Sequence, residues 1–182
     1  MKTFLTSLCL FLLGFTAFGQ NLYSSTGGKI TFFSKAPLEN IQATATQLTS
    51  KINPANRMVA FVVFISSFDF ENKLMQEHFN EKYMESDKFP KATFQGTINE
   101  KVDLTKPGSY PVTATGTLTI HGVAQTRTIP GTLTVTGNKA TLTSDFQVKL
   151  VDHKITVPEL VFKNIAEVID VKITVDYTIG AK

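Results

Sequence analysis

The sequence predicts an all-β fold with one amphipathic helix, its strands closing as an eight-stranded antiparallel barrel around an elongated inner cavity. Three observations carry this. First, apolar and polar residues alternate over long stretches: Val112, Ala114, Gly116, Leu118 and Ile120 share one face, and Thr113, Thr115, Thr117 and Thr119 the other. Second, eight such stretches can be read, several of them about 9 to 14 residues long against the usual five or six, which makes a tall structure. Eight is also the strand number at which a closed barrel can just enclose one ligand. Third, the small residues Ala43, Gly96, Ala114, Gly116 and Gly131 recur in phase with inward-facing Phe, Leu and Val. Two explanations of the third observation stand: small residues leave room on an inner wall, or they relieve strand curvature and mark bulges.

The chain opens on a targeting pattern. Lys2 is followed by an apolar run over 4–18 and by Ala17-Phe18-Gly19, the small-x-small signature before a cleavage site. Residues 1–19 are therefore expected to be a signal peptide, and 20–182 a single exported domain. The apolar run is too short for a stable membrane span. Leu8 stands where a lipoprotein signal places a small residue, which argues against lipid attachment at Cys9. Because Cys9 is the only cysteine, the mature domain has neither a disulfide nor a thiol nucleophile.

Beyond the leader, residues 28–35 and 38–52 read as strands joined at Ala36-Pro37, and Asn53-Pro54-Ala55-Asn56 as a turn. Residues 58–65 are apolar on both faces, so one face needs cover. The helix is expected just downstream. In it Leu74, Met75, His78, Phe79 and Tyr83 fall on one stripe over about four turns, opposite Gln76, Glu77, Asn80, Glu81 and Glu85. This helix could cover the outer face of 58–65, or close the barrel mouth with Phe79 and Tyr83 bordering the cavity. Strands then follow at 92–99, 112–120, 123–136, 139–150 and 165–179. His121-Gly122 and Gly137-Asn138 are two-residue hairpin turns that call for positive φ. In the last strand Ile169, Val171, Ile173, Val175 and Tyr177 align, and as an edge it would have to be paired or covered.

Composition excludes several functions. Net charge is +3, with Lys and Arg scattered rather than clustered, so nucleic acid is not an expected partner. Fifteen Phe, four Tyr and no Trp supply apolar bulk with little polar chemistry. His78, His121 and His153 lie in separate elements without metal-ligand spacing. Ser66-Ser67 lacks the glycine frame of a nucleophile elbow, and Gly27-Gly28 lacks the rest of a phosphate loop. No catalytic residue, metal or cofactor is expected.

Three blocks carry a resemblance: SSFDFENKLMQEHFNEKYMESDKFPKATFQG, GTLTIHGVAQTRTIPGTLTV and FQVKLVDHKITVPELVFKNIAEVIDVKITV. In order and in their turns they look like the landmarks of the YceI-like family. The resemblance implies an exported bacterial protein with an extended lipocalin-like barrel that holds a polyisoprenoid or similar long-chain lipid. By position it implies that Phe61, Val63 and Ile65 point inward, with the strands of Phe94, Leu118, Phe146 and Val171 completing the wall. The sequence departs from the family at Glu71-Asn72-Lys73-Leu74-Met75, where longer members often carry Arg-Asp-x-His-Leu. It departs again at Leu150-Val151-Asp152-His153-Lys154, where Arg-x-x-Phe-Gly is frequent.

Resemblance and periodicity together nominate a cavity lined by Phe61, Val63, Ile65, Phe79, Tyr83, Phe94, Ala114, Gly116, Leu118, Phe146, Val171 and Ile173. The function expected is a periplasmic or secreted, non-catalytic carrier or sequestering protein whose partner is a long-chain lipid or isoprenoid. The alternatives are a metal-assisted or acid/base enzyme using His78 and His153, and a structural envelope protein with a filled barrel. Gly116→Leu is expected to project into the cavity and block it.

Overall fold

The computed structural model describes residues 22–158 and 164–178; the leader, its cleavage site and Cys9 lie outside them. Eight long antiparallel strands form the barrel: β1 (Tyr23–Lys35), β2 (Asn40–Asn53), β3 (Met58–Phe64), β5 (Lys91–Ile98), β6 (Gly108–Ile120), β7 (Val123–Thr136), β8 (Lys139–Lys149) and β9 (Val168–Thr178). A two-residue strand, β4 (Asp69–Phe70), and a helix, α1 (Lys73–His78), intervene between β3 and β5. The strand order is β1-β9-β8-β7-β6-β5-β3-β2, and β1 pairs with β2 to complete the ring. Closure leaves β9 paired on both sides, with β8 and with β1, which removes the edge that a long last strand would otherwise expose.

Alternation decides the two faces of each strand. Threonines on the outer face hydrogen-bond across strands, Thr31 to Thr44 and Thr115 to Thr128, each at 2.9 Å. The inner face at one end is solidly packed: Leu48, Ile52, Leu133, Val135, Ala140, Val175 and Tyr177 are all buried. There the Tyr177 hydroxyl and Ser50 Oγ, both enclosed, hydrogen-bond to each other at 2.5 Å, as buried hydroxyls must if their desolvation is not to cost stability. Burial raises the Tyr177 phenol well above the usual tyrosine range, and the bond to Ser50 only partly opposes this. This end is the floor of the barrel.

Several strand boundaries differ from the sequence reading; β6, for one, begins at Gly108 rather than 112 and pairs there with Val135. β1 begins at Tyr23 rather than 28, because Tyr23 pairs with Ile52 and is buried while the Ser, Thr and Gly after it carry no apolar period. β8 gives way at Leu150 to a 3-10 turn, Leu150–His153. β9 starts at Val168, with 165–167 leading into it.

The helix differs most. α1 is six residues long and passes into a five-residue π turn, Phe79–Tyr83, closed by Met84 N–H donating to Phe79 O. Asn72 caps the start, its Oδ1 accepting from the N–H groups of Leu74 and Met75. Asn80 explains the widening, for its side-chain amide donates to Gln76 O at 2.9 Å and competes there with the backbone bond of a regular helix. The predicted stripe is therefore only partly used, and Leu74 is 59% exposed. Nor does α1 cover the outer face of β3. Met58 and Phe64 on that face remain exposed, and Phe64 is instead topped by the Lys91 ammonium, 4.9 Å from the ring centroid.

Both hairpin turns have the expected backbone. His121 and Gly122 have φ of 51° and 70°, and Gly137 has 58°, as a primed turn between right-twisted strands requires. The two glycines are not equivalent. A Cβ on Gly137 would meet nothing, whereas one on Gly122 would lie 2.5 Å from the Phe89 ring. Gly137→Val should thus cost about 1–3 kcal/mol from backbone strain alone, and Gly122→Val clearly more, because Phe89 must also move. Chemical denaturation of the two variants checks this; equal losses would show that Phe89 does not restrain the turn.

Candidate functional site

From the packed floor upward the barrel is hollow. A cavity of about 500 Å³ runs from Leu48, Val59, Ile98 and Val112 to a mouth where the exposed side chains of Asn72 and Leu74 meet half-buried Glu39, His78 and Asn164. Along β6 its wall extends from Val112 to Ile120, roughly 26 Å of strand at about 3.3 Å per residue, so the space is long and narrow. Ile, Leu, Val and Phe make up most of the wall.

Of the twelve residues nominated from the sequence, Phe61, Val63, Ile65, Phe79, Tyr83, Phe94, Ala114, Leu118, Phe146, Val171 and Ile173 border this cavity, and Gly116 does not. Gly116 faces Gly96 across the β5–β6 ladder. An added Cβ would lie 2.2 Å from Gln95 O and 2.4 Å from Gly96 Cα, and one on Gly96 would lie 2.6 Å from Thr115 O. The two glycines thus let β5 and β6 coil tightly past each other, as at a barrel corner. Ala43 is small for another reason: it pairs with both Phe32 and Phe70, whose rings meet at 5.7 Å. Only Ala114 and Gly131, among the five small inward residues, border the cavity. The even choice left open by periodicity divides by position.

Sequence reasoning missed the aromatic ring around the mouth. Phe32, Phe68, Phe70 and Phe79 interlock with centroids 5.0 to 5.8 Å apart, and all four line the cavity. β4 places Phe70 by pairing it with Ala43, and the π turn sets Phe79 against Phe32. The available signal was Phe68-Asp69-Phe70, a period of two just before a helix.

One side of the wall is not closed by a ladder. β7 and β8 pair only from Thr132 and Thr143 down to the hairpin. Pro130, next above, has no N–H to give. From there upward side chains join the strands: Ser144 Oγ donates to Pro130 O at 2.6 Å, and Arg127 Nη2 to Gln147 O at 2.8 Å.

The histidines are dispersed. His78 borders the mouth, whereas His153 is fully buried outside the cavity lining, its Nδ1–H donating to Val123 O at 3.1 Å and its Nε2 enclosed without a partner. His121 clamps the β6–β7 hairpin to the segment after α1: Nε2 lies 2.8 Å from a Glu85 carboxylate oxygen, and the ring meets Phe89 edge-on at 4.6 Å. That hydrogen bond is the main reason the Glu85 carboxyl is held below the usual range. Among the described residues no three His, Cys, Asp or Glu side chains are grouped to hold a metal, and no helix is long and apolar enough to cross a membrane.

Burial holds the His153 ring below the ordinary histidine range. The folded protein therefore takes up this proton only at a lower pH than the unfolded chain does. Stability associated with the neutral ring is complete above about pH 6.5 and is lost as pH falls toward the folded pKa. Between about pH 7.5 and about pH 5.5 the melting temperature of the wild type should fall further than that of His153→Gln, which cannot be protonated. Parallel curves for the two proteins would remove His153 as the cause.

A closed eight-stranded antiparallel barrel with one deep apolar cavity, floored at one end and open at the other, is the architecture of barrels that enclose a single small ligand. The chain belongs to the YceI-like domain family, whose profile matches residues 20–177. No curated protein sequence matches it. Similar solved structures include Burkholderia cenocepacia BcnA, at 22% identity and a TM-score of 0.70 over 83% of this chain and 96% of that one. A polyisoprenoid binding domain from Saccharophagus degradans, implicated in plant cell wall breakdown, is 14% identical with a TM-score of 0.73 over 88% and 99%. The Campylobacter jejuni YceI protein is 20% identical with a TM-score of 0.59 over 74% and 81%. At these identities the similarity is one of fold.

Proposed function

We propose that this protein is a non-catalytic carrier or sequestering protein that encloses a long-chain apolar ligand, a polyisoprenoid or similar lipid, in the bacterial cell envelope. The observation that carries the proposal is the cavity: about 500 Å³, long, apolar and open beside α1, within the range of pockets that bury most of a ligand's surface. Family membership supports it, as does the likeness in fold to a domain described as polyisoprenoid binding. The leader pattern over 1–19 supports export. The residues proposed to contact the chain are the eleven nominated side chains that border the cavity, together with Phe32, Phe68 and Phe70.

Native mass spectrometry of delipidated protein exposed to geranylgeraniol tests this. Uptake of one chain per protein is expected. An unchanged mass, with no lipid copurifying from the envelope, would leave the structural reading of a barrel without cargo.

A further inference from the structure

Resting on the carrier reading, we infer that the cavity is built for a lipid with an uncharged, hydrogen-bond-donating head group, such as an alcohol, and discriminates against phosphate and carboxylate heads. Three observations at the mouth lead there. Among the described residues that line the cavity there is no Lys or Arg. An anionic head drawn into a half-buried, apolar setting would find no counter-charge among these residues, and desolvating it without one is costly.

The one acidic or basic side chain among the described lining residues, histidine aside, has the wrong sign for an anion. Glu39 borders the cavity at the mouth; its Oε2 accepts from the Asn164 side-chain amide at 3.3 Å, and no described residue bonds to Oε1. Ser34, 2% exposed and on the same wall, accepts from Ala166 N–H at 2.8 Å, which leaves its hydroxyl hydrogen for a ligand oxygen. Asn72 spends its Oδ1 on the helix cap, leaving its Nδ2–H groups. Glu39 can therefore accept a hydrogen bond from a head group while Ser34 or Asn72 donates one to it, the pairing that suits a hydroxyl.

One segment beside the opening is also acidic. The segment that closes over the mouth, residues 69–87, carries Asp69, Glu71, Glu77, Glu81, Glu85 and Asp87 against Lys73 and Lys82. Three lysines at this end are turned elsewhere: Lys73 to Asp69 at 2.6 Å, Lys88 to Glu85 at 3.7 Å, and Lys91 to the Phe64 ring. An acidic segment at that point disfavours anionic amphiphiles and does not impede neutral ones.

Geranylgeraniol and geranylgeranyl monophosphate share a tail and differ in head charge, so their dissociation constants for the delipidated protein isolate the head. The alcohol should bind at least about tenfold more tightly than the phosphate. Glu39→Gln should narrow that ratio, and Glu39→Lys should bring it to within about threefold by strengthening phosphate binding. Circular dichroism confirms that both variants keep the barrel. Equal or tighter binding of the phosphate by the wild type overturns the inference while the carrier reading survives. So does a ratio unmoved by both Glu39 variants. If neither compound binds, the carrier reading fails, and this inference with it.

Discussion

Gly116→Leu is expected to destabilise the barrel severely rather than to plug it. The obstacle begins at the first added carbon, since a Cβ at 116 would stand 2.2 Å from Gln95 O and 2.4 Å from Gly96 Cα, both of them backbone that no rotamer change can move aside. Relief requires prying β5 from β6, at a cost of about 3–5 kcal/mol, set against the roughly 5–15 kcal/mol that holds such a domain together. This reverses the expectation drawn from alternation, in which residue 116 projected into the ligand space. The two accounts separate cleanly on Gly116→Ala. A methyl group entering a cavity would be nearly neutral, whereas a methyl group driven into the neighbouring strand should already cause most of the loss. Urea denaturation of the alanine variant decides between them, and a midpoint equal to wild type would return Gly116 to the cavity wall.

Alternation reads the side of a strand but not its distance from the next one. β6 and β8 were legible because their apolar and polar residues strictly alternate, and the hairpins between β6, β7 and β8 because glycine marks the turns. Family resemblance then supplied the inward register of β3, where both faces are apolar and period alone cannot choose. The pinch at Gly96 and Gly116 depends on coiling of the sheet, which arises from the pairing of two strands and is written in neither of them separately. α1 was over-read for a related reason. Leu74 continues the stripe of Met75, Phe79 and Tyr83 in sequence, but the Asn80 side chain disturbs the helical bonding, and Leu74 is left at the mouth. The aromatic ring there went unseen because Phe32 and Phe70, far apart in sequence, are brought together only when both strands pair with Ala43.

Packed floor and hollow upper barrel divide the tasks of stability and binding between the two ends of the same strands. Leu48, Leu133, Val175 and Tyr177 are almost fully buried and give the floor the close packing that a core needs. Above them the wall gives up such contacts, which costs stability unless a ligand supplies them. The clamp of His121 on Glu85 and Phe89 and the four interlocked phenylalanines hold the mouth segments in place.

Ala114→Phe should shorten the cavity from below and convert a binder of long chains into a binder of short ones. Ala114 borders the cavity near its deep end, between Val112 and Leu118 on β6, and its cross-strand partners Ile98 and Ile129 border the cavity too. A ring added there enters apolar space rather than backbone, and about 150 Å³ of such space suffices to hold benzene, well below the roughly 500 Å³ present. Filling an apolar void leaves stability near or above that of the wild type. Geranylgeraniol, whose tail would have to pass residue 114, should lose about tenfold in affinity or more, while geraniol, held nearer the mouth, should bind as before. Thr117→Phe is the control, since Thr117 is exposed on the outer face of the same strand, and it should change neither affinity. Equal losses for both alcohols would mean that the ring distorts the barrel instead of shortening it. Unchanged binding of geranylgeraniol would mean that the chain does not reach this depth.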